Sequence, residues 1–224
     1  MPSVAARLKQ VEASLPEGVK LVAVSKFHPV EALREAYDAG QRLFGESRVQ
    51  ELITKQPQMP DDVKWHFIGH LQTNKVRQLI GCRVALIESV DSDRLLRLID
   101  AEAERAGVVQ RVLLEVHVAQ EETKFGFSPD ELLEWMRSRR FETLKATHIC
   151  GLMGMASNTD DEARIKADFK AIAEVYRTVR DDESLGLRGF DILSMGMSDD
   201  RDIAISEGSN MVRVGTAIFG AREY

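Results

Sequence analysis

The feature that most constrains this chain is a unit that recurs eight times: a short apolar run, a polar turn, then a capped stretch of helical period. The first run is Leu21-Val22-Ala23-Val24, inside KLVAVSKFHP (20–29). The others are RLFGE (42–46), WHFIGH (65–70), VALIES (84–89), RVLLEVHV (111–118), THICGLMGM (147–155), DILSMGM (191–197) and MVRVG (211–215). Short runs rich in β-branched and aromatic side chains, bounded by turn residues, read as buried strands. The intervening segments carry helix signals. Pro29 opens one that stops at Gly40, and Ser47 with Gln50 and Ser128 with Glu131 form capping-box patterns. Thr73, Asp91 or Ser92, Thr159 and Ser198 are further expected caps, with Gly81 and Gly107 as stops.

Strands alternating with helices predict a parallel sheet covered by helices, either an open doubly wound sheet or a closed (β/α)8 barrel of the TIM type. Eight units in 224 residues average about 28 each, and the count of eight favours the barrel. Only four residues follow Gly220, so the last unit lacks a full helix. The amphipathic segment 3–15, with Val4, Leu8, Val11 and Leu15 on one face, is spare. It is expected to complete the outer ring between the last strand and the first. No linker or composition break divides the chain, which predicts one domain over residues 1–224.

Composition removes several functional classes. Lys plus Arg number 30 against 36 Asp plus Glu, and a net charge of −6 gives no general attraction to nucleic acid or anionic membrane. Any bound anion must therefore be held by local geometry. No apolar run approaches the roughly 20 residues of a membrane span, and the start has no secretory pattern. Cys82 and Cys150 are far apart and suit a reducing compartment. The expectation is a cytoplasmic protein.

In closed barrels of this kind, chemistry collects at the C-terminal ends of the strands, and phosphate commonly sits beyond strands seven and eight. Lys26 ends the first strand, which closure would place beside the eighth. A lysine held against apolar walls can act as a nucleophilic amine, although a lone strand-end lysine more often only snorkels to solvent. Ser194-Met195-Gly196-Met197-Ser198-Asp199 supplies a glycine and two hydroxyls before a helix start, and Gly215-Thr216-Ala217 repeats those ingredients. Asp199 and Asp200 compete for the same helix end. A lysine beside a phosphate cradle fits a sugar phosphate held as a Schiff base, or pyridoxal 5'-phosphate (PLP) held the same way. Arg213 bears on the choice, because a guanidinium facing a pyridine nitrogen donates without exchanging a proton and leaves the ring a weak electron sink.

AVSKFHP, FGESRVQE, WHFIGHLQTNK, ESVDS, EETKFGF, GLMGMAS, LSMGMSDD and MVRVGTAIFG together, in order from about residue 20 to 220, resemble the pyridoxal phosphate homeostasis protein family. The resemblance implies a PLP-binding barrel like the N-terminal domain of alanine racemase, with PLP joined to Lys26 as a Schiff base. It also implies a role in vitamin B6 balance by binding and buffering the cofactor, with apo PLP-dependent enzymes as recipients. Carried across by motif, Ser198 and the main chain of Gly215 and Thr216 would hold the phosphate. Arg213 would face the ring nitrogen, and Met195 and Gly196 would shape the adjoining wall. His66 and His70 would lie near the cofactor's face; on a strand they stand about 13 Å apart, which argues against a shared metal. Ser47 and His117 stand where the family often has asparagine, which leaves any cofactor contact of Ser47 open. Lys124 is a loop lysine that could reach the open face.

A racemase of this fold needs a second base opposite the lysine. The chain has Tyr37, Tyr176 and Tyr224, the first two on helix faces, and no second domain to deliver another. The expectation is a monomeric, non-catalytic carrier with one cofactor face open to solvent. The alternatives are a slow PLP-dependent racemase or related enzyme, and a cofactor-free Schiff-base lyase acting on a sugar phosphate.

Overall fold

A computed structural model describes residues 2–118 and 125–221. Eight parallel strands close into a barrel in sequence order: β1 (Lys20–Val24), β2 (Leu43–Glu46), β3 (Lys64–Phe67), β4 (Leu86–Val90), β5 (Gln110–His117), β6 (Thr147–Met155), β7 (Ile192–Ser194) and β8 (Met211–Val214). Closure is made by β1 against β8, with Lys20, Leu21, Val22 and Ala23 paired to Met211, Val212, Arg213 and Val214. The TIM-type barrel expected from the eight-unit count is therefore the architecture, and the open sheet is not.

The helices form the outer layer: α1 (Val4–Ser14), α2 (Val30–Asp38), α3 (Val49–Lys55), α4 (Val76–Gly81), α5 (Asp93–Ala106), α6 (Pro129–Arg137), α7 (Glu162–Asp181), α8 (Arg201–Ser206) and the single turn α9 (Thr216–Phe219). Outward-facing strand residues such as Ala23, Phe44, Phe67, Ile87, Leu114, Leu193 and Val212 pack with the inner helix faces into one continuous core. Among the described residues no helix is long and apolar enough to cross a membrane.

The spare N-terminal helix completes the ring. Ala5 N–H of α1 donates to Glu35 Oε1 of α2 at 3.0 Å, and Arg7 Nε donates to the Ile218 carbonyl of α9 at 2.6 Å. Val4, Leu8 and Val11 are buried beneath it. Two expected caps hold as drawn: Ser92 Oγ accepts from Leu95 N–H, and Ser128 with Glu131 forms a complete capping box.

Other boundaries differ from the sequence expectation, each for a local reason. WHFIGH yields a strand only to Phe67, because the chain turns at Gly69 hard against β2. A Cβ at Gly69 would lie 2.2 Å from the Ser47 carbonyl oxygen. DILSMGM yields only Ile192–Ser194, because Gly196 turns the chain at φ +92° with its Cα pressed on α8. Ser47 does not cap α3, which starts after Arg48 with no side-chain cap. Thr73 opens a 3-10 turn ahead of α4 rather than capping it. Asp161 displaces Thr159 as the cap of α7, accepting from both Ala163 and Arg164 N–H. Ser198 likewise leaves the start of α8 to Asp200, whose carboxylate accepts from Met197 N–H.

If α1 is a wall of the barrel rather than an appendage, Leu8→Ala is a core truncation. It is expected to cost about 2–5 kcal/mol in urea unfolding, as buried leucine truncations do. A loss under about 0.5 kcal/mol, the range of surface changes, would contradict the placement.

Candidate functional site

The strand ends after β1, β2, β3, β6, β7 and β8 enclose an open-mouthed cavity of about 200 Å³. Lys26 and His28 enter it from the turn after β1, Met155 from the end of β6, Met197 and Ser198 from the β7 loop, and Arg213, Gly215 and Thr216 from β8 and its turn. Lys26 is half-buried. Ser198 Oγ stands 3.5 Å from Ala217 N–H, at the limit of a hydrogen bond, so the two loops meet at a weakly committed donor and hydroxyl. A donor set of this kind can turn to an anion at little cost. Sites that engulf a drug-sized ligand run to about 300–1,000 Å³; this one is smaller, and a ligand in it would keep a face toward solvent. A roomier groove of about 420 Å³ runs between the starts of α5 and α6. Asp91, Asp93, Glu131 and Glu134 on its lining outnumber the single cation there, Arg140, and would repel a phosphate; among the described residues no lysine lines it.

The cavity floor follows from strand periodicity. Side chains alternate between lumen and helix layer, and Val22, Leu86, Leu113, Ile192 and Met211 make a separate apolar cluster in the lumen. Two residues further along four of those strands come Glu88, Glu115, Ser194 and Arg213, all buried. The lumen is thus apolar below and polar just under the cavity. Ser194 Oγ donates to Glu88 Oε2 at 2.6 Å, a bond between β7 and β4 that must cross the lumen. His66 Nδ1 donates to Glu88 Oε1 at 2.6 Å. Arg213 NH1 donates to Ser194 Oγ and carbonyl oxygen at 2.7 and 2.9 Å, and NH2 to the Gly154 carbonyl at 3.1 Å. Burial opposes ionisation of Glu88, but the His66 and Arg213 interactions and the Ser194 hydroxyl outweigh it and hold the carboxyl below its usual range. The Arg213 guanidinium is therefore aimed from three sides and balanced by a buried carboxylate 3.9 Å away.

This arrangement has relatives. The family model for the N-terminal domain of alanine racemase matches residues 1–223. A pyridoxal phosphate homeostasis protein of Schizosaccharomyces pombe is 39% identical over 206 residues, which span 91% of this chain and 84% of that one. The chain belongs to the pyridoxal phosphate homeostasis protein family. The structure of PipY from Synechococcus elongatus with PLP bound matches with a TM-score of 0.88 at 37% identity, covering 97% of this chain and all of that one. Alanine racemase from Streptomyces coelicolor matches with a TM-score of 0.79 at 22% identity over 58% of its length, a likeness of fold.

Of the positions expected to serve the cofactor in a pyridoxal phosphate homeostasis protein, Lys26, Ser47, Ser198, Arg213, Gly215 and Thr216 converge on the one cavity. Met195, Gly196, His66 and His70 do not reach its lining. Met195 is fully buried in the layer between strands and helices, and Met197 stands on the lining instead. Gly196 packs against Ala204 and Arg201 of α8. His66 lies in the lumen beneath the cavity and is linked through Glu88 and Ser194 to Arg213 on the lining. His70 is outside altogether, its Nδ1 3.2 Å from Asp91 Oδ2 and its ring stacked on Phe125. Ser194 turns down toward Glu88 and Arg213 rather than toward a phosphate. His117 ends β5 with its backbone N–H on the Phe127 carbonyl and is not on the lining. Lys124 and Tyr224 lie outside the described residues. Sequence reading passed over Met155, His28 and the lumen residues Glu88 and Glu115. The Leu-x-Glu and Ile-x-Ser steps at 86–88, 113–115 and 192–194 were the available signal.

Glu115 is driven from the ordinary 4.5 to about 7 by burial first and then by the Asp91 charge, against the pull of Arg213. A carboxyl that binds its proton more tightly when folded stabilises the fold at low pH and loses that contribution as pH rises from about 4.5 to about 7. Glu115→Gln is expected to leave urea stability unchanged near pH 5 and raise it above pH 7. An equally steep fall with pH in the variant would contradict the assignment.

Proposed function

We propose that this chain, acting as one barrel domain over residues 1–224, binds pyridoxal 5'-phosphate at Lys26 and holds it reversibly for delivery, without turning over a substrate. The observation that carries the reading is the convergence of Lys26, Ser198, Thr216 and Arg213 on a single open cavity. Relatives named pyridoxal phosphate homeostasis protein, and the PLP-bound structure of PipY, support it. Bound there, the cofactor supplies an aldehyde that amines capture reversibly. Lys26 Nζ would be the amine that holds that aldehyde, in a linkage that water or a competing amine can reverse. Ser198 Oγ and the main chain at Gly215 and Thr216 would hold the phosphate. Arg213 would face the ring nitrogen as a donor that neither takes up nor releases a proton.

The residues around the cavity favour carriage over racemisation. Among the described residues no tyrosine lies on its lining: Tyr37 OH donates to Asp62 and Tyr176 packs on Phe190. The remaining ionisable groups on the lining are His28, two residues from Lys26 on the same turn and stacked on Phe219, and the exposed Asp199. Neither provides an enclosed base opposite the lysine. An open face lets water and incoming amines in, which suits release to apo enzymes and suits control of reactive species poorly. One chain supplies the described lining of the cavity, which supports a monomer as the working unit, and we place it in the cytoplasm.

Wild-type protein mixed with PLP is expected to form a yellow chromophore that Lys26→Ala lacks. Ser198→Ala is expected to weaken binding about tenfold, the worth of a hydrogen bond to a charged group. Light scattering is expected to give a monomer mass, loaded or empty. A protein that stays colourless, or colour that persists in Lys26→Ala, would overturn the site. Steady multiple turnovers of solvent-deuterium exchange at the Cα of amino acids would overturn the carrier reading in favour of a racemase or related enzyme.

A further inference from the structure

Lys26 sits on a turn of unusual shape. Phe27, the next residue, has φ +68°, a left-handed conformation that an aromatic residue takes only where its surroundings impose it. Those surroundings include a buried cluster on the far side of the turn from the cavity. Glu46 at the end of β2 is fully buried, and Lys55 of α3 is 6% exposed. Lys55 Nζ has three acceptors: the Ser25 carbonyl at 2.8 Å, Glu46 Oε1 at 2.7 Å and Glu51 Oε2 at 3.0 Å. Glu51 Oε2 also accepts from Phe27 N–H at 3.0 Å, and Ser25 Oγ donates to Glu46 Oε1 at 2.7 Å.

Two of these contacts fall on particular atoms. The Ser25 carbonyl belongs to the peptide group before Lys26, and the Phe27 N–H belongs to the peptide group after it. Lys55 grips the first and Glu51 the second, while Glu46 orients Lys55. None of the three stands on the cavity lining. A buried ion pair kept for stability alone has apolar competitors that do as well or better. What a hydrophobic replacement would not supply is directional hold on both peptides. Among the described residues no donor faces Glu46 Oε2, which suits a carboxyl that carries its own proton toward Glu51. Burial lifts Glu46 to about 7, the hydrogen bond to Glu51 adds to that, and Lys55 and Ser25 oppose it.

We propose that Glu46, Glu51 and Lys55 are positioning residues that set the direction of Lys26 by clamping the peptide groups on either side of it. The clamp gives the lysine its reach into the cavity without touching a ligand. The inference rests on Lys26 being the point of covalent attachment, and it adds the machinery that presents the amine.

The test uses the full chain and two ligands: pyridoxal 5'-phosphate, which can bond to Lys26, and pyridoxine 5'-phosphate, whose alcohol cannot. Lys55→Met and Glu51→Ala are expected to slow chromophore formation about tenfold or more, as misplacing a reacting atom does. The dissociation constant for pyridoxine 5'-phosphate should stay within about threefold of wild type in the same variants, a change under the 1.4 kcal/mol of a tenfold effect. Glu51→Gln keeps an acceptor for Phe27 N–H and is expected to restore most of the rate. Unchanged capture in the variants overturns the clamp, and so does a parallel loss of both ligands, which a general structural role would give. Should wild-type protein bind neither ligand, the cofactor reading fails, and the clamp is judged by the rate of Lys26 reductive methylation with formaldehyde and cyanoborohydride, followed by peptide mass. A change of about threefold or more in Lys55→Met supports it, and an unchanged rate overturns it. Glu51→Ala removes a partly exposed side chain, so it serves where Lys55→Met does not fold.

Discussion

The register of β1 against β8 is the constraint from which the site follows. Val22 lies opposite Arg213 and Ala23 opposite Val214, so the turn carrying Lys26 emerges beside the turn carrying Gly215 and Thr216. In an open sheet these two strands need not be neighbours. Closure makes them adjacent in space although most of the chain separates them, and it does so with backbone hydrogen bonds. The amine and the turns proposed to hold the phosphate are thereby anchored by barrel strands rather than by loop packing alone.

The second consequence of closure is a shared lumen. A barrel filled throughout with branched apolar side chains is the stable default. Here that filling stops one layer short, and Glu88, Glu115, Ser194, His66 and Arg213 take the upper positions. Isolated buried charges are costly, and this layer limits the cost by pairing: Arg213 with Ser194 and Glu88, Glu88 with His66. Behind β1 and β2, Glu46, Glu51 and Lys55 repeat the device in the helix layer. Lys26 therefore stands between two buried polar groups, one beneath Arg213 and one behind its own turn. The residual strain falls on Glu115 and Glu46, the two carboxyls that burial lifts to about 7.

Much of this was legible in the chain. Eight apolar runs with helical segments between them specify the barrel, and the unpaired amphipathic face of Val4, Leu8 and Val11 specifies where the first helix goes. Strand ends were not legible, because WHFIGH and DILSMGM stay apolar past the point where pairing stops. What stops them is the close approach of Gly69 to Ser47 and of Gly196 to Ala204, contacts made across the fold. Helix caps were less legible: Asp161 sits nearer the first free N–H groups of α7 than Thr159, and α8 starts after Asp200 with no side-chain cap at all. The polar lumen was present as period-two steps such as Leu86 to Glu88, hidden because a strand buried on both faces carries no expectation of alternation. The pairing of Glu46 with Lys55 spans a strand and the next helix and leaves no spacing pattern to read.

The central claim is that one lysine, Lys26, carries the covalent bond. The direct measurement is to load the protein with an equivalent of pyridoxal 5'-phosphate, reduce with borohydride, digest, and map the phosphopyridoxyl mass by peptide sequencing. A single modified lysine, Lys26, labelled close to one per chain, is the expected result. Label at Lys55 or Lys124, or label spread over the surface lysines with Lys26 unmodified, would contradict it.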